Sequence, residues 1–109
     1  MKILHVFDHS IPLHSGYTFR SRAILREQRK MGWETAHVTS AKHAAELAAQ
    51  GKEQLFEEEV EGLLFYRTQL PSGVLSRLPL IDQLAMSDAL AKRLAQVVPR
   101  VKPDILHAH

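Results

Sequence analysis

Short apolar runs alternate with longer amphipathic stretches along this chain of 109 residues. The runs have the length of β-strands and are rich in branched and aromatic side chains, which is typical of buried parallel strands. In the stretches between them, apolar residues recur at three- and four-residue spacing, which predicts helices. We expect strands at residues 3–7, 34–39, 63–67 and 104–109, helices at 18–31, 41–50 and 79–98, and an extended arm at 56–60.

The order of these elements predicts the fold class. Strands that alternate with helices are typical of an α/β domain whose crossovers are right-handed. We therefore expect a Rossmann-like open parallel sheet with helices on both faces. No helix follows the last predicted strand, so we expect residues 1–109 to be part of a longer protein.

Composition narrows the functional classes. The formal net charge of +2 is too small to indicate nucleic-acid binding. The lack of cysteine excludes a disulfide framework and a thiolate metal site. No apolar run approaches the roughly 20 residues that span a bilayer, so we predict a cytoplasmic protein. The arginines between residues 20 and 30 leave open a peripheral contact with an anionic membrane.

The loop after the first strand, residues 8–17, is the first candidate for chemistry. The carboxyl ends of parallel strands meet at one edge of the sheet, where ligands bind. Gly16 precedes a helix and would let backbone N–H groups face a phosphate or sugar oxygen; the alternative is a glycine needed only for the turn. The loop is neither a P-loop nor a dinucleotide fingerprint. The histidines predicted to line a common crevice at this edge are His9, His14, His43 and His109.

Two histidines close the last predicted strand. His107 and His109 are two residues apart and therefore point to the same face of the sheet. A single imidazole at the strand end could hydrogen-bond a substrate or a phosphate. Two alternatives stay open: both histidines are structural, or they bind zinc with a carboxylate such as Asp8 to complete the site.

Several segments together resemble the start of family 4 glycosyltransferases, which are retaining enzymes with the two-Rossmann-domain GT-B fold. The first loop looks like the branch associated with bacterial exosortase and exopolysaccharide loci. The match covers the whole chain in the right order and spacing. The segments are residues 1–6 (MKILHV), 8–20 (DHSIPLHSGYTFR), 32–34 (GWE) and 103–109 (PDILHAH).

The resemblance implies a function and a site. Such an enzyme moves a hexose from a nucleotide-sugar donor to a hydroxyl of a sugar or lipid-linked acceptor, with retention and without a metal or other cofactor. It implies that Gly16, with Ser15, approaches the donor phosphates, although many relatives have two glycines here. It implies that His109 lies at the reaction centre and stabilises the charge that develops as diphosphate leaves. The residues implied on the acceptor side are His9, His14, Tyr17 and Arg20.

In the family, the nucleotide-sugar domain follows the part that this chain matches. We therefore expect residues 1–109 to be part of the acceptor-side N-terminal domain, inactive alone, with the C-terminal domain of the same protein as its partner. Two other functions stay open. One is a non-catalytic α/β module that binds a phosphorylated small molecule or a partner protein. The other is a metal hydrolase that uses Asp8, His107 and His109.

Overall fold

A computed structural model describes residues 1–71 and 79–109 of the chain. The strands are β1 (Lys2–Phe7), β2 (Glu34–Thr39), β3 (Glu57–Val60), β4 (Leu63–Arg67) and β5 (Ile105–Ala108), and the helices are α1 (Gly16–Lys30), α2 (Ala41–Ala49) and α3 (Pro79–Val101). The strands form one sheet in the order β3-β4-β2-β1-β5. This α/β architecture is compatible with the predicted Rossmann-like fold.

The sheet is mixed rather than wholly parallel. β4, β2, β1 and β5 run parallel to one another, as predicted. The segment expected as an extended arm is β3, which pairs antiparallel with β4, so the expectation of a wholly parallel sheet is wrong. The two strands join through Glu61 and Gly62, whose φ angles of 53° and 78° are both positive. A tight turn with this backbone twist matches the twist of the strands that it connects.

Helices cover the two faces of the sheet through separate apolar clusters. Leu4 of β1 belongs to a cluster that includes Val97 of α3. Phe7 of β1 belongs to the other cluster, which includes Leu25 of α1. Because side chains alternate along a strand, His5 shares the α1 face with Phe7, and the two rings stack with their centroids 5.5 Å apart.

α1 buries small polar residues where its spacing predicts large apolar ones. The three- and four-residue spacing of Phe19, Ala23, Ile24, Gln28 and Met31 predicts that they form the inward face, but Phe19 and Met31 are 43% and 59% exposed. The buried residues are Thr18, Ser21 and Leu25. Small side chains allow a helix to lie close to a sheet, and the Ser21 hydroxyl donates to a backbone carbonyl one turn earlier (2.8 Å). The predicted face is therefore wrong for Phe19 and Met31, whereas Gln28 does face the sheet, where it contacts His5.

Two helix boundaries differ from those predicted by more than one residue. α1 begins at Gly16 because Ser15 is its N-cap. The Ser15 hydroxyl accepts a hydrogen bond from the Thr18 backbone N–H (3.1 Å), and the Thr18 hydroxyl oxygen accepts one from the Ser15 backbone N–H (3.0 Å). α3 continues through Pro99 to Val101. The loop expected at 70–78 lies, from residue 72 onward, outside the described residues.

Candidate functional site

A crevice of about 210 Å³ opens at the carboxyl ends of β1 and β5. Within the sheet, β2 pairs with one edge of β1 and β5 pairs with the opposite edge. This reversal of strand order is the topological switch point, where open α/β sheets bind ligands. The lining residues are Val6, Phe7, Asp8, Ser40, Leu90, Ala108 and His109.

A chain of side-chain hydrogen bonds holds His109 at this crevice. Nε2–H of His109 donates to Nδ1 of His5 (2.8 Å), and Nε2–H of His5 donates to Oε1 of Gln28 on α1 (2.7 Å). An amide oxygen can only accept, so it fixes the tautomer of His5 and, through His5, that of His109. Nδ1 of His109 is thereby the unprotonated ring nitrogen.

His5 and His109, the two histidines joined by these hydrogen bonds, are poor bases in the folded protein. Partial burial lowers the pKa of His109 to about 4, with further contributions from His107, His5 and Arg20. Burial also lowers the pKa of His5, and His107 adds to the effect. At neutral pH His109 is therefore an uncharged imidazole. It can form a hydrogen bond with a ligand, but it supplies no positive charge.

The ring of Phe7 links His109 to the start of α1. Phe7 stacks on His109 with ring centroids 4.5 Å apart and meets the ring of Tyr17 edge-on at 6.4 Å. Tyr17 is the second residue of α1, so His109 and the helix N-terminus both lie next to this ring. Helix N-termini attract anions through their unpaired backbone N–H groups. His109 and the Tyr17 side chain, in the first turn of α1, are therefore connected through the ring of Phe7.

Gly16 lacks the usual structural reasons for a glycine. It is the first residue of α1, and its φ is not positive, unlike those of Gly32 and Gly51. A Cβ atom at Gly16 would meet no described atom within 4 Å. Neither backbone conformation nor packing therefore requires glycine here. Because Gly16 has no side chain, the space beside the first N–H groups of α1 is open.

Asp8, His9 and Ser15 form a second chain of hydrogen bonds. Nδ1–H of His9 donates to the Asp8 carboxylate (3.2 Å), and Nε2 of His9 accepts from the Ser15 hydroxyl (3.1 Å). Serine hydrolases use groups in this order. Here, however, the Ser15 oxygen also accepts the Thr18 N–H as the cap of α1. The hydroxyl is committed to the helix start, so we interpret the chain as a brace for the loop.

The four residues predicted on the acceptor side do not line one common pocket in the structure. His9 stacks on Tyr17 with ring centroids 4.7 Å apart, so the two side chains cover one another. His14 lines a larger groove of about 450 Å³ near the end of α2. Arg20 is exposed, and its charge is one cause of the lowered pKa of His109, which places it on the crevice side.

His43, also predicted to line the crevice, is fully buried. Its Nδ1 accepts a hydrogen bond from the backbone N–H of Ser10 (3.2 Å). Burial, followed by the charge of Arg67, lowers the pKa of His43 to about 3. His43 therefore supports the first loop as a neutral acceptor instead of facing a ligand.

Arg67, at the end of β4, is a residue of the site that the sequence did not predict. Its side chain is fully buried. Nη1–H donates to the Ser10 hydroxyl (2.6 Å), and Nη2–H donates to the Ile11 carbonyl (3.0 Å) and the Glu58 carboxylate (2.6 Å). Arg67 thus ties the first loop to β3 and β4. The run of glutamates at 57–59 is the sequence signal that could have predicted its partner.

The basic face of α1 is largely paired with carboxylates. Arg22 and Arg26 both contact Glu61, at 3.4 and 3.3 Å, and Lys30 contacts Glu27 at 3.1 Å. Exposed pairs of this kind contribute about 0–1 kcal/mol each. They also reduce the charge that α1 offers to an anionic surface. Among the described residues, no helix combines the length and apolarity needed to cross a membrane.

Comparisons of the chain with models of protein families, with curated proteins and with solved structures returned no match.

Proposed function

We propose that this domain is the acceptor-side domain of a retaining glycosyltransferase of the GT-B kind. The enzyme would transfer a sugar from a nucleotide-sugar to an acceptor hydroxyl in polysaccharide or glycoconjugate synthesis. The observation that carries the proposal is the position of His109, which lines the crevice at the switch point and stacks on Phe7, the ring that Tyr17 in the first turn of α1 meets edge-on. The resemblance of the first loop and of the last strand to family 4 enzymes supplies the reaction class.

The first turn of α1 is suited to the phosphates of the donor. Negative charge develops on the leaving diphosphate as the bond to the sugar breaks, and preorganised N–H groups stabilise such charge. The open space at Gly16 lets a phosphate oxygen approach the N–H groups directly. The exposed guanidinium of Arg20, on the same helix, adds a positive charge beside them.

His109 takes a different role from the one that the resemblance implies. Its Nε2–H is given to His5, so the ring nitrogen left for a ligand is an acceptor. A neutral acceptor cannot stabilise a phosphate oxyanion. We therefore assign His109 to a sugar hydroxyl, which donates to Nδ1 and is oriented by it.

The groove beside His14 is the candidate acceptor site. Its volume of about 450 Å³ is within the usual range for small-molecule sites. Charged and amide side chains line it, and these suit a ligand rich in hydroxyl groups. They include Gln50, Lys52, Glu53 and Glu58. In this proposal the nucleotide itself is held by a second domain, so residues 1–109 alone should have no transferase activity.

Backbone amide shifts during titration with a nucleotide-sugar test the proposal. We expect saturable shifts at residues 15–19 and at His109, and their loss in Gly16→Ala, because a methyl group would fill the approach to the N–H groups. Gly32→Ala is the matched control. It lies past the other end of α1, at a φ of 85°, so it should lower stability while leaving the shifts unchanged.

The same titration separates the transferase from the alternative binding module. A transferase domain should respond to the nucleotide-sugar with shifts at both the α1 terminus and His109. A module for simple phosphorylated molecules should respond equally to a sugar phosphate, with no shift at His109. Shifts outside residues 15–19 and His109, or transfer activity from residues 1–109 alone, would refute the proposal.

A further inference from the structure

Three imidazoles converge on one point beside the crevice. The coordinating nitrogens of His5, His107 and His109 all lie within 4.8 Å of one another. The rings of His107 and His109 stack with centroids 4.1 Å apart, and the His5 and His107 centroids are 5.3 Å apart. His5 is fully buried, whereas the two histidines of β5 are exposed. The cluster therefore has a fixed inner member and two outer members that can adjust.

The orientation of His5 is that of a metal-binding histidine. Such a residue donates its second ring N–H to a carbonyl or carboxylate oxygen, which fixes the tautomer and directs the other nitrogen towards the ion. In this structure Nε2–H of His5 donates to Oε1 of Gln28 (2.7 Å), and Nδ1 points to His109 (2.8 Å). The supporting hydrogen bond is thus in place independently of the three-histidine cluster.

We propose that His5, His107 and His109 form a three-imidazole site for a divalent transition-metal ion such as zinc. A zinc ion binds imidazole nitrogen at about 2.0–2.1 Å and keeps an open position when the protein supplies three ligands. Tetrahedral ligands would then lie about 3.4 Å apart. The nitrogens lie within 4.8 Å of one another, so small rotations of the two exposed rings would bring them to this spacing. On binding, the proton of His109 moves from Nε2 to Nδ1, and Nε2 becomes the ligand.

The donor set selects the class of ion. Imidazole nitrogen suits zinc, copper, nickel and iron, whereas magnesium and calcium prefer oxygen. The predicted carboxylate ligand, Asp8, is engaged elsewhere: it contacts His9 at 3.2 Å and Lys42 at 3.3 Å. His5, which the sequence did not suggest as a ligand, replaces it. The lowered pKa values of His5 and His109 keep both rings uncharged at neutral pH, as ligation requires.

The metal site goes beyond the proposed transferase and does not depend on it. That reaction is proposed to need no metal, and it uses His109 to accept a sugar hydroxyl. A bound ion would occupy His109, so metal binding and donor binding should compete. If no nucleotide-sugar binds, the proposal of a metal site still stands. If no metal binds, the proposal of a transferase still stands.

Titration of the purified chain with Co²⁺, followed by displacement with Zn²⁺, tests the site. We expect one equivalent of Co²⁺ to produce the visible absorption of a low-coordinate nitrogen site. A competition titration with a chromophoric chelator then gives the Zn²⁺ affinity. His107→Ala and His109→Ala should each lower this affinity at least tenfold. Gln28→Met should lower it by about 10–100-fold although Gln28 is not a ligand.

Two controls keep the test decisive. His14→Ala removes an exposed histidine outside the cluster and should leave the affinity unchanged. Gln28→Glu supplies another oxygen acceptor to His5 and should retain binding, which a merely structural role of Gln28 would not predict. The proposal is overturned if the chain binds no Co²⁺, or if His14→Ala weakens binding as much as His109→Ala does.

Discussion

His5 and His109 share a hydrogen bond of 2.8 Å although they are 104 residues apart in the chain. The bond joins the middle of β1 to the end of β5, and Gln28 extends it to α1. One polar chain therefore connects three elements on the α1 face of the sheet. The proposed contact of His109 with a sugar hydroxyl depends on the whole chain, whereas the proposed metal site depends on its His5–Gln28 bond.

Gln28→Met should lower the free energy of unfolding by about 1–3 kcal/mol. The substitution keeps a side chain of similar length but leaves one ring nitrogen of His5 without a partner, and an unpaired buried polar group carries a cost of that size. Urea denaturation measures the change. Glu27→Met, one residue earlier on an exposed side chain, should change stability by less than about 0.5 kcal/mol. Equal effects of the two substitutions would contradict the hydrogen-bond chain.

Arg67→Met should destabilise the domain by about 3–5 kcal/mol, because it leaves the Glu58 carboxylate without its buried partner. Arg100→Met is the comparison, since Arg100 also pairs with a carboxylate, that of Glu57 (2.9 Å), but is 58% exposed. Its loss should cost at most about 1 kcal/mol. Denaturant midpoints report both values. A small effect of Arg67→Met would mean that the guanidinium does not clamp the loop.

Stability should fall as pH drops from about 6.5 towards 5. Burial lowers the pKa of both His37 and His43 to about 3. In this window the unfolded chain therefore binds more protons than the folded chain, and the free energy of unfolding decreases as pH falls. Each histidine contributes up to about 1.4 kcal/mol per pH unit. The measurement is the urea midpoint at several pH values.

His43→Asn identifies one source of this dependence. The amide oxygen of asparagine can accept the Ser10 N–H in place of Nδ1 but does not titrate. The slope of stability against pH should therefore decrease, while His14→Asn, at an exposed position, should leave it unchanged. A wild-type midpoint that stays constant between pH 7 and 5 would show that the buried histidines do not stay neutral.

Gly16→Ala should leave stability unchanged or raise it by up to about 1 kcal/mol. Alanine restricts the unfolded chain more than glycine does and is the better helix former. A Cβ at this position meets no described atom within 4 Å. Gly62→Ala should have the opposite effect, because the φ of Gly62 is 78°. Thermal denaturation of the two variants is the test, and destabilisation by Gly16→Ala would show that its glycine is structural.

The alternation of strands and helices could be predicted because β1 and β4 are short apolar runs and β2 and β5 contain branched side chains between helix-like stretches. β3 was predicted only as an extended arm, because Glu57, Glu58 and Glu59 give it no apolar face. It is held by its backbone pairing with β4, and its carboxylates pair with cations outside the strand, including Arg67 and Arg100. Ion pairs between residues distant in the chain leave no local pattern in the sequence from which a strand could be predicted.

The sequence predicted those site residues whose position follows from the order of strands and helices. The rule that ligands bind at strand carboxyl ends singles out Gly16 and His109, and the structure places both at the same edge. The role of His5 was not predictable, because its partners lie 23 and 104 residues away. His43 was placed in the crevice from its position after β2. The helical turn that carries it directs the side chain into the protein instead.

The contacts of Arg67 with Ser10 and Ile11 bear on the rate at which a ligand can associate. A loop that is free in solution loses conformational entropy when it closes on a ligand, and this loss weakens binding. Here the loop is ordered during folding, before any ligand arrives. Association should therefore follow a single kinetic phase, limited by encounter and not by rearrangement of the loop.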